Sequence, residues 1–500
     1  MNTSHKHFSS FVQWYLDHPY LVILVVCVVS TAATVLVGNL KGGTGFPLDD
    51  AWIHQTYARN LALNGHWEYV PGETSAGSTS PLWTLLLSIG FLIGMKNPVI
   101  WSAILSTIFF YGMVVMFYKI LCRMTGAASI GCLAGSLLLA LEWHLLWSSG
   151  SGMETILYCS LVLSVFNLLL SGKKWLWMGL LAGLCVWVRP DGITLLGPVL
   201  LVLAWMLYKK ETKFISVVEF LLPLIVLLVA YGWVNYSISG KVLPNTFYAK
   251  QLEYASVLNQ PLWLRLVKIF LIPISGAGVF LIPGFIYSVK KAITAKNLWL
   301  AGAILWFLGY GLLYALRLPM TYQHGRYLFP LIPVFFVIGV YGSLELAQVV
   351  CAHEPRGKKL INLVVACSFC CAILFGIIGV KALVDDNRTI NRLMVEPALW
   401  IKENTAESAV VAVHDIGAMG YFAEHQMIDL AGLINPEVIP FIRDQEKIKE
   451  YLIQEKADYL VVFSDWYDEL SDFGKPIKTF EWSDGNRVET VEVRDIKLDK

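Results

Sequence analysis

Apolar runs of about 20 residues recur from Tyr20 to Val384, separated by short polar breaks, and that length crosses the hydrocarbon core as helix. The pattern predicts a polytopic α-helical membrane protein, because only helices and closed barrels satisfy the backbone in lipid. Crossings are expected at 20–40, 98–121, 128–147, 154–171, 174–190, 192–208, 214–236, 264–289, 297–316, 327–349 and 360–383. Pro81 to Met95 is apolar but short for a span, which suits an interfacial or re-entrant helix. A cleaved signal peptide competes for 20–40. The run is long, its basic flank is poor and no A-x-A site follows, so an anchor is the expectation.

Charge orients these segments. Arg123, Lys173-Lys174, Lys209-Lys210-Lys213, Lys290-Lys291-Lys296 and Arg356-Lys358-Lys359 fall on alternate connections. The positive-inside rule makes that side cytoplasmic. With Lys6 inside, about eleven crossings follow, with the N-terminus cytoplasmic and the C-terminus outside. The expected membrane domain is 1–384, with a first outer loop at 41–97.

From Asp385 to Lys500 the pattern changes to mixed and charged. Strands are expected at 409–413, 427–430 and 459–463, with helices at 416–422 and 445–455. Segments 475–482 and 487–494 flank Ser483-Asp484-Gly485-Asn486, a hairpin signal. This predicts a small extracytoplasmic α/β domain. No GxGxxG or P-loop opens it, so no nucleotide site is expected.

On this map the unusual polar residues share the outer side. Asp49 and Asp50 are adjacent carboxylates beside Trp52, His54 and Arg59. Either can N-cap a helix over 51–64, which Asn64-Gly65 ends. A solvated cap is the plain reading; the pair and its neighbours favour a site. Glu154 follows Gly150 and Gly152, where an acid also suits a helix start. Arg189-Pro190-Asp191-Gly192 is either a tight turn with a local ion pair or part of a site. Lys250 and Arg265 can snorkel to the interface, and for Arg265 that is the expectation. His324 beside Arg326 makes an anion site plausible. His414-Asp415 and Asp429 lie at strand ends and could face the membrane site, but contacts within their own domain are the expectation.

Composition removes several classes. The chain has a net charge of +1 and is 56% hydrophobic, which excludes a global basic field for nucleic acid. Its nine Cys lie in or at the ends of apolar segments with no CxxC pairs, so neither a disulfide framework nor a zinc site is expected.

LDDAWIHQTYARNL, then VPGE and STSPLWTLLL, resembles the first outer loop of GT-C membrane glycosyltransferases, particularly the bacterial arabinofuranosyltransferase-like group. SGMET, RPDG, PNTFYAK and GRYLFPLIPV are similar to later motifs of that group, in order. HDIGAMGYF with IDLAGLINPE resembles its outer C-terminal region, and aminoarabinose and protein mannosyl transferases are more distantly similar. The resemblance implies a bacterial cytoplasmic-membrane enzyme and a polyprenyl-phosphate sugar donor. It also implies an acidic residue of the first outer loop acting on the acceptor, with Asp49 leading and Asp50 beside it. The acceptor would be an envelope glycan, lipid or protein.

An acceptor hydroxyl needs a carboxylate within reach, and a leaving lipid phosphate needs cations. Arg59, Arg189, Lys250, His324 and Arg326 are the outer-face candidates. With one phosphate leaving, no metal is required on electrostatic grounds. A transporter or flippase of a lipid-linked precursor is the rival reading, but no inverted repeat and few mid-helix charges support it. A non-catalytic scaffold presenting the C-terminal domain is a third.

Overall fold

The computed structural model describes residues 13–467, 469–483, 485 and 488–497. Lys6, on which the cytoplasmic N-terminus rested, and the turn residues Asp484 and Asn486 lie outside them.

The chain is a multi-pass helical membrane protein with a small C-terminal sheet domain. Among the described residues eight helices are long and apolar enough to cross a membrane, or nine if one bent pair is a single span. That pair, Ile130–Ala140 and Trp143–Ser149, bends by 55°. Glu142 sits at the bend, where its carboxylate accepts from the Leu145 N–H at 2.9 Å and caps the second helix. Thr155–Ser171 and Trp175–Val188 stand where the fourth and fifth crossings were expected and are shorter, at 17 and 14 residues. Pro81–Leu92 has 12 residues, or about 18 Å of helix, too short to cross.

The expected crossing 264–289 divides. A strongly two-faced helix, Leu262–Leu271, ends before Pro273, which cannot continue the hydrogen-bond ladder. The span proper is Gly276–Thr294. Arg265 does more than snorkel, because it donates to the Ala315 carbonyl at 2.5 Å, near the end of helix Leu298–Arg317.

The last helix, Gly357–Ile390, has 34 residues and reaches about 51 Å, well beyond a hydrocarbon core of about 30 Å. It passes the composition change at Asp385 without a break. A π-turn at Asn391–Val395 and a helix at Glu396–Asn404 then carry it into the C-terminal domain. A rigid rod thus joins the two parts.

The sheet of that domain has strand order Gln426–Asp429, Val410–Val413, Tyr459–Phe463, Val488–Asp495, Lys475–Ser483. The first three are parallel and the last two antiparallel. Val411 and Val413 share one core with Ile416 and Met419 of the helical turn that follows. Ala412 points to the other face, against Ile448 and Leu452 of helix Gln445–Gln454. The two connections therefore cover opposite faces of the sheet. Ile53, Tyr57, Tyr69 and Val70 of the first loop enter the Val411–Val413 core, so the domain is seated directly on that loop.

Candidate active site

The first-loop helix spans Asp49–Asn64, with Leu48 as N-cap and Gly65 closing it at φ 74°. Asp49 and Asp50 are first-turn residues, not caps as the sequence suggested. Their charges suit the positive helix end, and their side chains serve other partners.

The two carboxylates are treated differently. Asp49 is 8% exposed. It accepts from the backbone N–H of Gly417 at 2.6 Å and of Ala418 at 2.7 Å, the first turn of Ile416–Ala418. Gly417 is required by this approach, since a Cβ there would lie 2.0 Å from the Asp49 carbonyl oxygen. Burial, and next the charge of Asp415, raise the Asp49 carboxyl above the usual range against those two N–H bonds. Asp50 instead meets the Lys250 ammonium at 3.1 Å and the Arg326 guanidinium at 2.5 Å. Burial alone would raise Asp50, but Arg326 and then Lys250 outweigh it and hold it far below the carboxylate range. Two adjacent acids are thus pushed in opposite directions, the arrangement that assigns a base and an ionised partner.

Local structure aims the cations. Lys250 lies on helix Asn245–Glu253, which is wedged between the first loop and the C-terminal domain. Asn245 donates to the Leu433 carbonyl at 3.1 Å, and Thr246 to that of Gly77 at 3.0 Å. Lys250 also donates to the Tyr327 hydroxyl at 2.8 Å. Arg326 follows Gln323, His324 and Gly325, all in the left-handed region at φ 50°, 59° and 75°. Two of these are not glycine, a strained turn of the kind found at functional sites. Arg326 is 5% exposed, yet its Nε and Nη1 have no hydrogen-bond partner among the described residues. Such donors are costly to leave unmet, so they suit an anion that arrives with the substrate.

Asp49, Asp50, Lys250 and Arg326 line a cavity of about 600 Å³ between the membrane domain and the C-terminal domain. Its opposite wall comes from the sheet domain and includes His414, Asp415, Trp466 and Tyr467. His414 lies 3.4 Å from Glu253 and 2.6 Å from the Tyr467 hydroxyl. The sequence favoured contacts within their own domain for His414 and Asp415; instead both line the cavity, because the strand end that carries them faces the membrane domain. Asp429 serves its own domain, accepting from the N–H groups of Ala431, Leu433 and Ile434. Nothing in the sequence singled out Trp466, and its position just after a buried strand was the available signal.

The other candidates lie apart from the cavity. Arg59 donates to the Tyr421 carbonyl at 2.8 Å and stacks on that ring, tying the loop helix to the C-terminal domain. Arg189 is buried with Asp191 at 3.0 Å and the Tyr314 hydroxyl at 2.7 Å, the local ion pair foreseen as an alternative. His324 faces the other way from Arg326 and pairs with Asp386 at 2.8 Å. Glu154 stands behind the loop helix, its Oε2 3.6 Å from His54 Nε2 and without a hydrogen bond among the described residues.

The His414 pair sets a pH dependence. Burial by itself lowers the imidazole, but Glu253 and Asp415 push it up to about 9. A folded value raised above the ordinary one of about 6.5 stabilises fully below that pH and is lost as pH rises through about 9. The thermal midpoint should therefore fall between pH 7 and 9.5, with up to about 1.4 kcal/mol lost per pH unit. His414→Gln should flatten that slope. An equal slope in wild type and variant would remove His414 as its source.

A model of a domain of unknown function (DUF8728) matches residues 386–493. No curated protein matches the chain by sequence. Among solved structures, ArnT from Cupriavidus metallidurans bound to undecaprenyl phosphate is similar, with a TM-score of 0.58 at 13% identity. That match covers 95% of this chain and 99% of that one. The Archaeoglobus fulgidus oligosaccharyltransferase in its apo form gives 0.58 at 12% identity, over 89% and 70% of the two chains. The same enzyme tethered to an acceptor peptide containing the NVT sequon gives 0.52 at 12% identity, over 96% and 74%. The chain shares its overall fold with these solved structures, which are GT-C membrane glycosyltransferases.

Proposed function

We propose that the chain is a glycosyltransferase that moves a sugar from a polyprenyl-phosphate donor to a hydroxyl of an envelope acceptor, at the outer face of the bacterial cytoplasmic membrane. The observation that carries this reading is the floor of the cavity. There a buried Arg326 with two unmet N–H donors and Lys250 are held beside one depressed and one elevated carboxylate. The fold supports it, as does the undecaprenyl phosphate bound to the structurally similar ArnT.

In this mechanism Asp49 takes the acceptor proton as the hydroxyl oxygen attacks the anomeric carbon. The bond from that carbon to the phosphate oxygen breaks, and its electron pair leaves with the polyprenyl phosphate. Arg326 and Lys250 stabilise the charge that develops on the phosphate. Asp50 holds both cations in place before the donor arrives and competes with it for them. The proton returns from Asp49 to the released phosphate or to water.

The cellular test compares envelope lipids and polymers by glycan mass spectrometry with and without the gene. Loss of one sugar from one envelope component is expected. Loss of the sugar with the lipid-linked precursor accumulating on the cytoplasmic leaflet would favour a flippase instead, whereas accumulation on the outer leaflet fits a transferase.

A further inference from the structure

The C-terminal wall of the cavity is built as a binding crevice in its own right. The parallel strands Val410–Val413, Gln426–Asp429 and Tyr459–Phe463 all run toward the cavity, because the segments after their carboxyl ends line it. Val410–Val413 lies between the other two. The connection after it covers one face of the sheet and the connection to Tyr459–Phe463 the other. This makes the carboxyl end of Val410–Val413 a topological switch point, where open α/β sheets leave a crevice for ligands. His414 and Asp415 occupy that point.

The chemistry there is mixed: the carboxylates of Asp415 and Glu253 flank His414, and Arg443 lines the same side. Asp415 has a buried Oδ2 with no hydrogen-bond partner among the described residues, and Glu253 pairs with the neighbouring His414 at 3.4 Å. Carboxylates accept well from neutral hydroxyls. Trp466 is 54% exposed and stacks on Phe463 with ring centroids 4.4 Å apart, which fixes one face of the indole and leaves the rest open. A fixed aromatic plane beside an unmet hydrogen-bond acceptor suits a sugar ring, with its C–H face on the indole and a hydroxyl on the Asp415 carboxylate. The volume of about 600 Å³ is that of a small-molecule site, room for a few sugar rings.

We infer that this crevice is the acceptor subsite and that the acceptor is a carbohydrate, carried on Trp466 and hydrogen-bonded by Asp415. The inference rests on the proposed transferase reading and names the substrate of its second half. It also explains why the domain is docked through Asp49. Gly417 and Ala418, whose N–H groups hold that carboxylate, follow Asp415 almost directly in the chain. A hydroxyl bound at Asp415 is thereby delivered beside the base. Lys250 and Arg326, paired with Asp50, remain for the donor.

The test uses full-length protein in nanodiscs. Saturation-transfer NMR reads binding of a panel of short neutral oligosaccharides and of short peptides, and native mass spectrometry reads binding of undecaprenyl phosphate. At least one oligosaccharide should bind. Trp466→Ala should weaken it by about tenfold or more, and Trp466→Phe should keep most of it. Asp415→Asn should weaken it less, and undecaprenyl phosphate binding should be the same in all of these proteins. Oligosaccharide binding that ignores Trp466, peptide binding that depends on it, or a panel in which no oligosaccharide binds would each overturn the inference. Trp466-dependent sugar binding by a protein that does not bind undecaprenyl phosphate would support the subsite and overturn the donor reading.

Discussion

Asp49→Asn is expected to lower turnover by about 10²–10⁴-fold, the usual contribution of a positioned general base. The carboxylate is raised by burial and by Asp415, so its basicity lies nearer neutrality than that of an ordinary acid. For the same reason the wild-type rate should fall on the acid side at a higher pH than a free carboxylate would give. The Asn side chain keeps one acceptor oxygen but points an NH₂ at a second backbone N–H, so some loosening of the C-terminal domain must be separated from lost catalysis. Limited proteolysis of the 385–500 region reads the docking, and single-turnover rates with saturating donor read the chemistry. Near-wild-type turnover in Asp49→Asn would remove it as the base. Asp50→Asn should act differently, weakening donor use by leaving Arg326 and Lys250 less firmly held, with a smaller effect on the acid limb.

Arg326→Ala should abolish measurable use of a lipid-linked donor at ordinary concentrations. Its guanidinium is already buried and aimed, with two donors free, so binding needs little further ordering of this side chain. Losing a charge-assisted, paired contact of this kind costs about 2–5 kcal/mol, or some 30- to several thousand-fold in KM for the donor. Arg326→Lys should restore only part, since an ammonium cannot offer the planar pair of N–H groups. Isothermal or mass-spectrometric titration with a polyprenyl phosphate would show the same order: wild type, then Lys, then Ala. Equal affinity across the three would mean that the phosphate binds elsewhere.

Much of the site was legible because charge is rare in this chain. Asp49, Asp50, Lys250 and Arg326 stand out against long apolar runs, and the side count put them together. Partners distant in sequence were not legible. Arg189 looked as suitable for phosphate as Arg326, but Tyr314, far along the chain, joins Asp191 in enclosing it. Arg59 looked available until Tyr421 of the C-terminal domain closed over it. His324 and Arg326 are next but one in sequence, and only the left-handed turn between them sends them to opposite sides. The strands of the C-terminal domain were foreseen within a residue or two because short apolar runs bounded by polar and turn residues mark them. That their carboxyl ends face the membrane domain depends on how the whole domain is seated, and no local pattern encodes that. The break at Pro273 was readable, but the apolar run continuing through it masked the end of one helix.

One measurement bears most directly on the proposed activity. Purified protein in nanodiscs, with an envelope-derived glycan acceptor, is offered either a sugar on polyprenyl phosphate or the matching nucleotide sugar. Product should form from the lipid-linked donor alone and disappear with Asp49→Asn and Arg326→Ala. Efficient transfer from the nucleotide sugar without a lipid intermediate, or binding of the lipid-linked donor with no glycosylated product from any acceptor, would contradict it.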